Sequence, residues 1–262
     1  MTVVIGLKCT EGIVLGADSA ATFGAMGLRT IVQPTNKLSL IEDKAIFGFS
    51  GHIGLSQLFY DRACTTCAAI QDVGLPEACR RLRNGFLKDA NISFQVAALA
   101  QSVVGSIAAE NVASQTLIAL AVQGQPELIQ FDYQCHPEWT TNELPFVSIG
   151  SGQTIADPFL AWIRYVFWRR RLPTLAEGRF AVYWTLTHAI RTAPGGIGPP
   201  IQMATLEREQ DSVTARELSE AELEEHKVAI SGYEDAIKAL FGLQRGEAQP
   251  PPPPQPPKIH SS

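Results

Sequence analysis

Thr2 stands directly behind Met1 and leads into an apolar run that extends through residue 7. A small second residue lets an aminopeptidase remove Met1, which would leave Thr2 with a free α-amine. A threonine hydroxyl becomes an effective nucleophile when a base takes its proton, and the residue's own amine can be that base. The reference pKa of an α-amine, about 7.7–8.0, leaves part of it neutral near physiological pH. The pattern therefore predicts a nucleophile and a base in one residue, although many proteins begin with Met-Thr by chance.

Three further residues mark the ends of apolar segments where such chemistry could be supported. Asp18 follows the apolar run 12–17, and Lys37 opens another hydrophobic segment. A lysine ammonium near the amine of Thr2 would lower the pKa of that amine by like-charge repulsion. At Gly51 a strand gives way to a helix, a junction whose backbone N–H groups can hold an oxyanion. Taken singly, the three are more readily explained as a turn aspartate, a solvated lysine and a loop glycine.

The elements that would position these residues follow from hydrophobic periodicity. Strands are predicted at residues 2–7, 12–17, 37–41, 44–49, 115–122, 127–132, 146–149 and 200–206. Two helices are predicted between Gly54 and Ala109, a third over 155–167, and two more from the capping-box patterns at Thr174 and Ser219. Because the helices come in pairs, the order favours two face-to-face sheets covered by helix pairs over a doubly wound parallel sheet.

The order and spacing of these segments resemble the β subunits of the proteasome and the wider N-terminal-nucleophile hydrolases. The matching segments are Thr-Val-Val-Ile-Gly at 2–6, Gly-Ile-Val-Leu-Gly-Ala-Asp at 12–18 with Thr22, Asn-Lys-Leu at 36–38, Gly-Phe-Ser-Gly-His-Ile-Gly at 48–54, and Ile-Gly-Ser-Gly at 149–152. The resemblance extends from residue 2 to about residue 206. Within the family, the short N-terminus is similar to the simple bacterial members, and the mix of motifs to the β-proteobacterial homologues. The resemblance implies an α+β fold, a four-layer αββα sandwich of two antiparallel sheets flanked by helix pairs.

The resemblance also implies catalytic roles. Thr2 would supply both the nucleophilic hydroxyl and the basic amine, Lys37 would keep that amine neutral, and Asp18 would pair with Lys37. The N–H of Gly51 would form the oxyanion hole. Ser151 would hydrogen-bond to the amine and assist proton transfer.

Two further residues would bind substrate. By the same resemblance, the backbone of Thr22 would pair with a substrate strand. Phe49 would form the base of a shallow pocket for small or medium side chains before the cut. The implied reaction needs no cofactor and no metal.

One segment departs from the family pattern. Active members commonly carry an acid and a serine before the last strands, where residues 191–196 here read Arg-Thr-Ala-Pro-Gly-Gly. The network around the amine is therefore thinner, so that activity would be weak or need a partner. The segment from Thr22 to Lys37 is also a few residues longer than usual, which affects the local substrate geometry.

The resemblance therefore leads to three hypotheses. The first is a threonine endopeptidase that cleaves unfolded polypeptides inside a homo-oligomer of two stacked heptameric rings, with rings of six subunits as the alternative. Because the sequence has no Walker motif, ATP-driven unfolding would require a separate ATPase. The second is a weak or inactive ring scaffold, and the third is an amidase of the same fold that acts on small amides.

Composition limits the other classes of function. With a net charge of −5 over 262 residues, the chain lacks the basic field that binds nucleic acid or an anionic membrane. The longest apolar stretch, 94–109, is too short and too polar to span a bilayer, and no secretion signal opens the chain. Five scattered cysteines favour a reduced, cytoplasmic location. We expect one domain over residues 2–245 and a disordered proline-rich tail over 246–262.

Overall fold

The computed structural model describes residues 2–25, 28–104, 113–193, 195–210 and 212–244, with the backbone alone at 22–25, 28–31, 100–104 and 243–244. The chain divides into two compact units, Met1–Leu218 and Ser219–Ser262. The second unit contains one described helix, α5 (Glu220–Gln244). It begins as predicted, because the Ser219 hydroxyl accepts from the Glu222 N–H and the Glu222 carboxylate accepts from the Ser219 N–H.

The described strands of the first unit form two sheets and a separate hairpin, and every pairing is antiparallel. The strands are β1 (Val4–Lys8), β2 (Gly12–Ala17), β3 (Ala20–Ala25), β4 (Leu28–Pro34), β5 (Leu38–Ile41), β6 (Ala45–Gly51), β7 (Ser114–Val122), β8 (Gln125–Phe131), β9 (Pro137–Trp139), β10 (Phe146–Ile149), β11 (Gln202–Glu209) and β12 (Ser212–Glu217). The first sheet has the order β10-β1-β2-β11-β12, the second has β5-β6-β7-β8-β9, and β3 pairs with β4.

Helices cover the outer faces of both sheets. The helices of this unit are α1 (Ile53–Cys67), α2 (Leu75–Val104), α3 (Gln153–Ile163), which continues as a π-helical turn (Arg164–Trp168), and α4 (Leu175–Thr192). The predicted capping box opens α4, where Thr174 and Glu177 bond to each other's backbone N–H groups. None of the described helices combines the length and the apolar composition needed to cross a bilayer.

Two apolar layers hold this arrangement together. Val4, Leu15, Ile46 and Leu117 belong to a core cluster between the two sheets. A second cluster, which includes the stacked rings of Phe59 and Phe86, lies between the second sheet and helices α1 and α2. On the first sheet, a side chain at Gly16 would overlap Val182, so glycine lets α4 approach β2 closely. The predicted αββα sandwich is confirmed.

The predicted strands correspond, in order, to β1, β2, β5, β6, β7, β8, β10 and β11, with ends shifted by a few residues. Four strands were not predicted: the two of the β3–β4 hairpin in the polar segment 19–36, the short β9, and β12. The two helices predicted between Gly54 and Ala109 are α1 and α2. The predicted proline-rich tail lies outside the described residues.

Candidate active site

Thr2 lies at the entry to β1, next to the turn that follows β10. Its nitrogen donates a hydrogen bond to Oγ of Ser151 at 3.1 Å, and its carbonyl oxygen accepts from the Gly152 N–H at 3.0 Å. In the intact chain this nitrogen is the amide that joins Met1 to Thr2, and removal of Met1 would turn the same atom into the α-amine. The structure therefore brings Ser151 to the atom that the sequence analysis assigns as the base.

Asp18 follows β2 and is fully buried. Its Oδ1 accepts from Nζ of Lys37 at 2.6 Å and from the Val3 N–H at 2.9 Å. Its Oδ2 accepts from the N–H groups of Ala20 and Gly198, both at 3.1 Å. A buried carboxylate needs such partners, because its charge is costly to remove from water. These bonds fix the position of Asp18 and, through it, that of Lys37.

Lys37 precedes β5, and its side chain is only 3% exposed. Burial lowers the pKa of Lys37 below its ordinary value, and the Asp18 carboxylate opposes that shift. The backbone N–H of Lys37 donates to Oε1 of Gln202 at 2.9 Å. The lysine is therefore held at both its backbone and its ammonium.

The same carboxylate oxygen connects Lys37 to the start of β1. Oδ1 of Asp18 accepts from both Nζ of Lys37 and the backbone N–H of Val3, the residue bonded to Thr2. The ammonium and the Val3 nitrogen can therefore be no farther apart than the sum of those two hydrogen-bond lengths. This places a cation beside the backbone that leads out of Thr2.

Gly51 ends β6 in the left-handed region, with φ of 119°. A Cβ at this position would overlap the carbonyl oxygen of Ala113, so the junction requires glycine. The next residue, His52, caps α1, and its Nδ1 accepts from the Leu55 N–H at 3.1 Å. The strand-to-helix junction predicted from the sequence is present, and Gly51 is exposed there.

The structure places the two predicted substrate-binding residues in strands. Phe49 lies in β6, half-buried, on the face covered by α1 and α2, with its ring centroid 6.4 Å from that of Phe47. The backbone of Thr22 lies in β3 opposite Val32. The side chain of Thr22 lies outside the described part of the chain. Both substrate-binding roles stay predictions.

Two residues that hold the site were missed by the sequence analysis. Gln202 accepts from the N–H groups of Lys37 and Leu38 through Oε1, and its Nε2 donates to Ser19 Oγ and to the Thr35 carbonyl oxygen. Gly198 donates its N–H to Asp18. The available signal was a polar residue at the start of the predicted strand 200–206.

The segment without the family's acid and serine leads into the loop that carries Gly198. Helix α4 ends at Thr192, and Gly196 adopts a φ of 78° in the turn that follows. Ile197 is buried, and a Cβ added to Gly152 would lie 2.6 Å from its Cδ1. The loop therefore supports the site through backbone and apolar contacts.

The Cys-x-x-Cys pair at 64 and 67 lies in α1, and both thiols are free. Burial raises the pKa of Cys67 to about 12, which disfavours the thiolate that metal binding and redox chemistry require. Among the described residues, no group of three or more His, Cys, Asp or Glu side chains is arranged to hold a metal ion.

Comparison with known proteins identifies both the family and the fold. The family model described as "Proteasome subunit" matches residues 2–161, more than half of the chain. No curated protein matches the sequence.

Several solved structures share the fold. A Gly-1 mutant of Anbu from Hyphomicrobium sp. strain MC1 has a TM-score of 0.67 at 16% identity, covering 92% of this chain and 97% of its own. Anbu from Yersinia bercovieri, described as an ancestral β-subunit, has a TM-score of 0.67 at 14% identity with the same coverage. The Anbu complex from Pseudomonas aeruginosa, described as a helical assembly, has a TM-score of 0.65 at 15% identity and covers 99% of this chain and 100% of its own.

Proposed function

Because this chain belongs to the proteasome subunit family, we propose that it is a threonine-type peptidase in which Thr2 is the nucleophile and its α-amine the base. One observation carries the proposal: a single oxygen of the buried Asp18 carboxylate holds both the Lys37 ammonium and the N–H of Val3. A surface lysine or a turn aspartate would not need this arrangement. A site that must keep a cation beside Thr2 would need it.

The proposed reaction requires removal of Met1. The neutral amine of Thr2 takes the proton of its own hydroxyl as Oγ attacks the substrate carbonyl carbon. The Gly51 N–H stabilises the resulting oxyanion. The carbon–nitrogen bond then breaks, the leaving amine receives the proton, and the acyl group remains on Oγ as an ester. Water attacks this ester with the amine again as base, releasing the acid and restoring the hydroxyl.

Charge determines how Lys37 would assist. An ammonium near the α-amine lowers the pKa of that amine, which enlarges the neutral fraction able to accept a proton. The same charge stabilises the negative charge that develops on the attacking oxygen. Asp18 keeps the lysine in place, and Ser151 lies at hydrogen-bond distance from the nitrogen to assist proton transfer.

Phe49 and Thr22 would define the substrate subsites. We propose that Phe49 closes a shallow pocket for the side chain before the cut, and that the backbone of Thr22 pairs with an extended substrate. Both proposals rest on their places in β6 and β3. Unfolded polypeptides suit such pairing because their backbone hydrogen-bonding groups are free.

We further propose that the chain works as a homo-oligomer of two stacked heptameric rings in the cytoplasm, and that a separate ATPase unfolds its substrates. A closed ring would admit only unfolded chains to the active sites and would exclude folded proteins. The P. aeruginosa relative is described as a helical assembly instead. Electron microscopy of the purified protein would distinguish a closed ring of sevenfold symmetry from an open helix.

A non-catalytic scaffold is the second candidate function, and one observation favours it. The family's acid and serine are absent from residues 191–196, and the loop that follows donates the backbone N–H of Gly198 to Asp18. A small-molecule amidase is the remaining alternative, because the same nucleophile would serve both reactions.

Turnover by matched variants tests the proposal. Assembled wild-type protein, Thr2→Ala and Thr2→Ser would be incubated with fluorogenic peptides and with small acyl amides. We expect peptide hydrolysis by the wild type, a reduced rate for Thr2→Ser, and none for Thr2→Ala. Equal hydrolysis by Thr2→Ala, or none by the wild type, would support the scaffold. Preference for small amides would support the amidase.

A further inference from the structure

The turn that brings Ser151 to Thr2 is anchored to the opposite sheet by one buried glutamine. Gln115 lies in β7 of the second sheet and is 8% exposed. Its Oε1 accepts the Gly150 N–H at 3.2 Å. Gly150 follows β10 of the first sheet, so this hydrogen bond connects the two sheets directly behind the candidate site.

Successive residues of the turn each have a fixed partner. Gly150 donates to Gln115, Oγ of Ser151 accepts from the Thr2 nitrogen at 3.1 Å, and Gly152 donates to the Thr2 carbonyl oxygen at 3.0 Å. The bonds at Ser151 and Gly152 connect the turn to Thr2 itself. Only the bond at Gly150 connects it to a different sheet, so it fixes the turn relative to a second part of the core.

Packing restricts the turn at the same point. Gly150 has a φ of 91°, and a Cβ there would overlap the Thr2 carbonyl oxygen and lie 2.6 Å from Oγ of Ser50. Ser50 is the cross-strand partner of Gln115 and is itself buried. These neighbours leave little room for the turn to move, and a small displacement of Ser151 would break its contact with the Thr2 nitrogen.

We propose that Gln115 is a positioning residue, which acts through the Gly150 N–H to hold the Ser151 hydroxyl against the nitrogen of Thr2. The inference rests on the proposed function, since that nitrogen is the base only once Met1 is removed. Gln115 touches neither the substrate nor the reacting atoms. It acts by keeping the Ser151 hydroxyl at hydrogen-bond distance from the Thr2 nitrogen.

The test compares an acceptor-free variant with one that keeps an acceptor. Gln115→Met is close in volume and lacks the amide oxygen, whereas Gln115→Glu retains an oxygen for the Gly150 N–H. Gln130→Met makes the same substitution in the neighbouring strand β8 and is the matched control. All three would be produced with a co-expressed methionine aminopeptidase, and loss of Met1 would be verified by intact mass.

The readout is the pKa of the Thr2 α-amine, from competitive acetylation by acetic anhydride over a pH series. A hydrogen bond to the charged form raises the pKa of an amine, so losing the Ser151 contact should lower it. We expect a fall of about half a pH unit for Gln115→Met. Gln115→Glu should show no fall, because the acceptor remains and its added negative charge favours the ammonium. Gln130→Met should match the wild type.

Two outcomes separate this inference from the proposed function. If the wild type hydrolyses no peptide but Gln115→Met still lowers the pKa of the amine, the peptidase proposal fails and the role of Gln115 stands. If the pKa of the amine is the same in Gln115→Met and the wild type, the role of Gln115 is overturned whatever the peptidase activity. Faster amide exchange at Gly150 in Gln115→Met would verify that the anchoring hydrogen bond had been removed.

Discussion

The ammonium of Lys37 and the carboxylate of Asp18 form an ion pair of 2.6 Å whose side chains are 3% and 0% exposed. Burying two charges is costly unless each finds a partner and the remaining lone pairs are satisfied. Here the second oxygen of Asp18 accepts from the N–H of Ala20, at the start of β3, and from the N–H of Gly198, in the loop before β11. Through its two oxygens, Asp18 therefore joins the residue before β1, the lysine before β5 and the loop before β11.

Removing the charge of only one partner of this ion pair should therefore destabilise the protein. Asp18→Asn would leave the Lys37 ammonium buried without a counter-charge, and we expect the free energy of unfolding to fall by about 3 kcal/mol. Urea denaturation followed by circular dichroism measures this loss. The exposed pair of Glu42 and Lys44 offers the control, because Glu42→Gln should leave stability almost unchanged.

The double variant Asp18→Asn/Lys37→Met separates stability from function. Removing both charges eliminates the unpaired ammonium, so part of the lost stability should return, whereas we expect no peptide hydrolysis because the cation beside Thr2 is also gone. A double variant as unstable as Asp18→Asn alone would show that the backbone contacts of Asp18, rather than its charge, hold the site.

The stability of the protein should depend on the titration of Lys37. Burial lowers the pKa of Lys37 below the 10.5 of an ordinary lysine, and Asp18 opposes the shift. Between the folded and unfolded pKa values, the unfolded chain binds a proton that the folded chain has released. The contribution of Lys37 to the free energy of unfolding must therefore rise as pH increases toward 10.5 and fall away as pH decreases through the folded pKa.

Urea denaturation of the wild type and Lys37→Met over a pH series measures this contribution as a difference. We expect the free energy of unfolding of the wild type, minus that of Lys37→Met, to increase with pH below 10.5 and to level off above it. A difference that decreased over this range would mean that the ion pair outweighs burial.

Gly51 should tolerate no side chain. With φ of 119° and the Ala113 carbonyl oxygen in the way, Gly51→Ala must shift the junction between β6 and α1. We expect a loss of about 1–3 kcal/mol in the free energy of unfolding and no measurable peptide hydrolysis. Gly124→Ala is the control, since Gly124 also has a positive φ, 70°, but no atom lies within 4 Å of its added Cβ. Normal hydrolysis by Gly51→Ala would exclude this junction as the oxyanion hole.

Gln202 should contribute both to the stability of the protein and to the rate of peptide hydrolysis. Its amide accepts from the N–H of Lys37 and donates to Ser19 and Thr35. Gln202→Leu would remove the partner of the Lys37 N–H and of the Thr35 carbonyl oxygen, and we expect it to reduce the free energy of unfolding by about 2 kcal/mol and slow peptide hydrolysis by at least tenfold. Gln202→Glu keeps the acceptor, so it should recover part of the rate. Identical rates for the two variants would mean that Gln202 does not position Lys37.

Much of the fold could be predicted because its strands and helices are strongly periodic. The apolar run Gly12–Ala17 indicated a buried strand, and the capping box at Thr174 indicated the start of a helix. The β3–β4 hairpin was missed because its segment mixes polar residues and two glycines with the apolar ones, and β9 because it has only three residues. Strand β12 was missed because its sequence, Ser-Val-Thr-Ala-Arg-Glu, has no apolar run and lies at a sheet edge.

The site was predictable where a charge interrupts an apolar run, as at Asp18 and Lys37. The contacts of Gln202, Gly198 and Gln115 could not be predicted, because each depends on which segments meet in space. Gly198 reaches Asp18 from 180 residues away along the chain. Nothing in the composition of either segment indicates that meeting.

The mass of the assembled protein before and after treatment with a β-lactone tests most directly whether Thr2, freed of Met1, is the nucleophile. Opening of the lactone by the Thr2 hydroxyl adds the whole reagent as an ester, without a leaving group. A Cys64→Ser background removes a half-buried thiol, while burial raises the pKa of Cys79 and Cys135 to about 11. We expect a chain without Met1 that gains one reagent on Thr2, and no gain for Thr2→Ala. Retention of Met1 on the assembled protein, or equal labelling of Thr2→Ala, would contradict it.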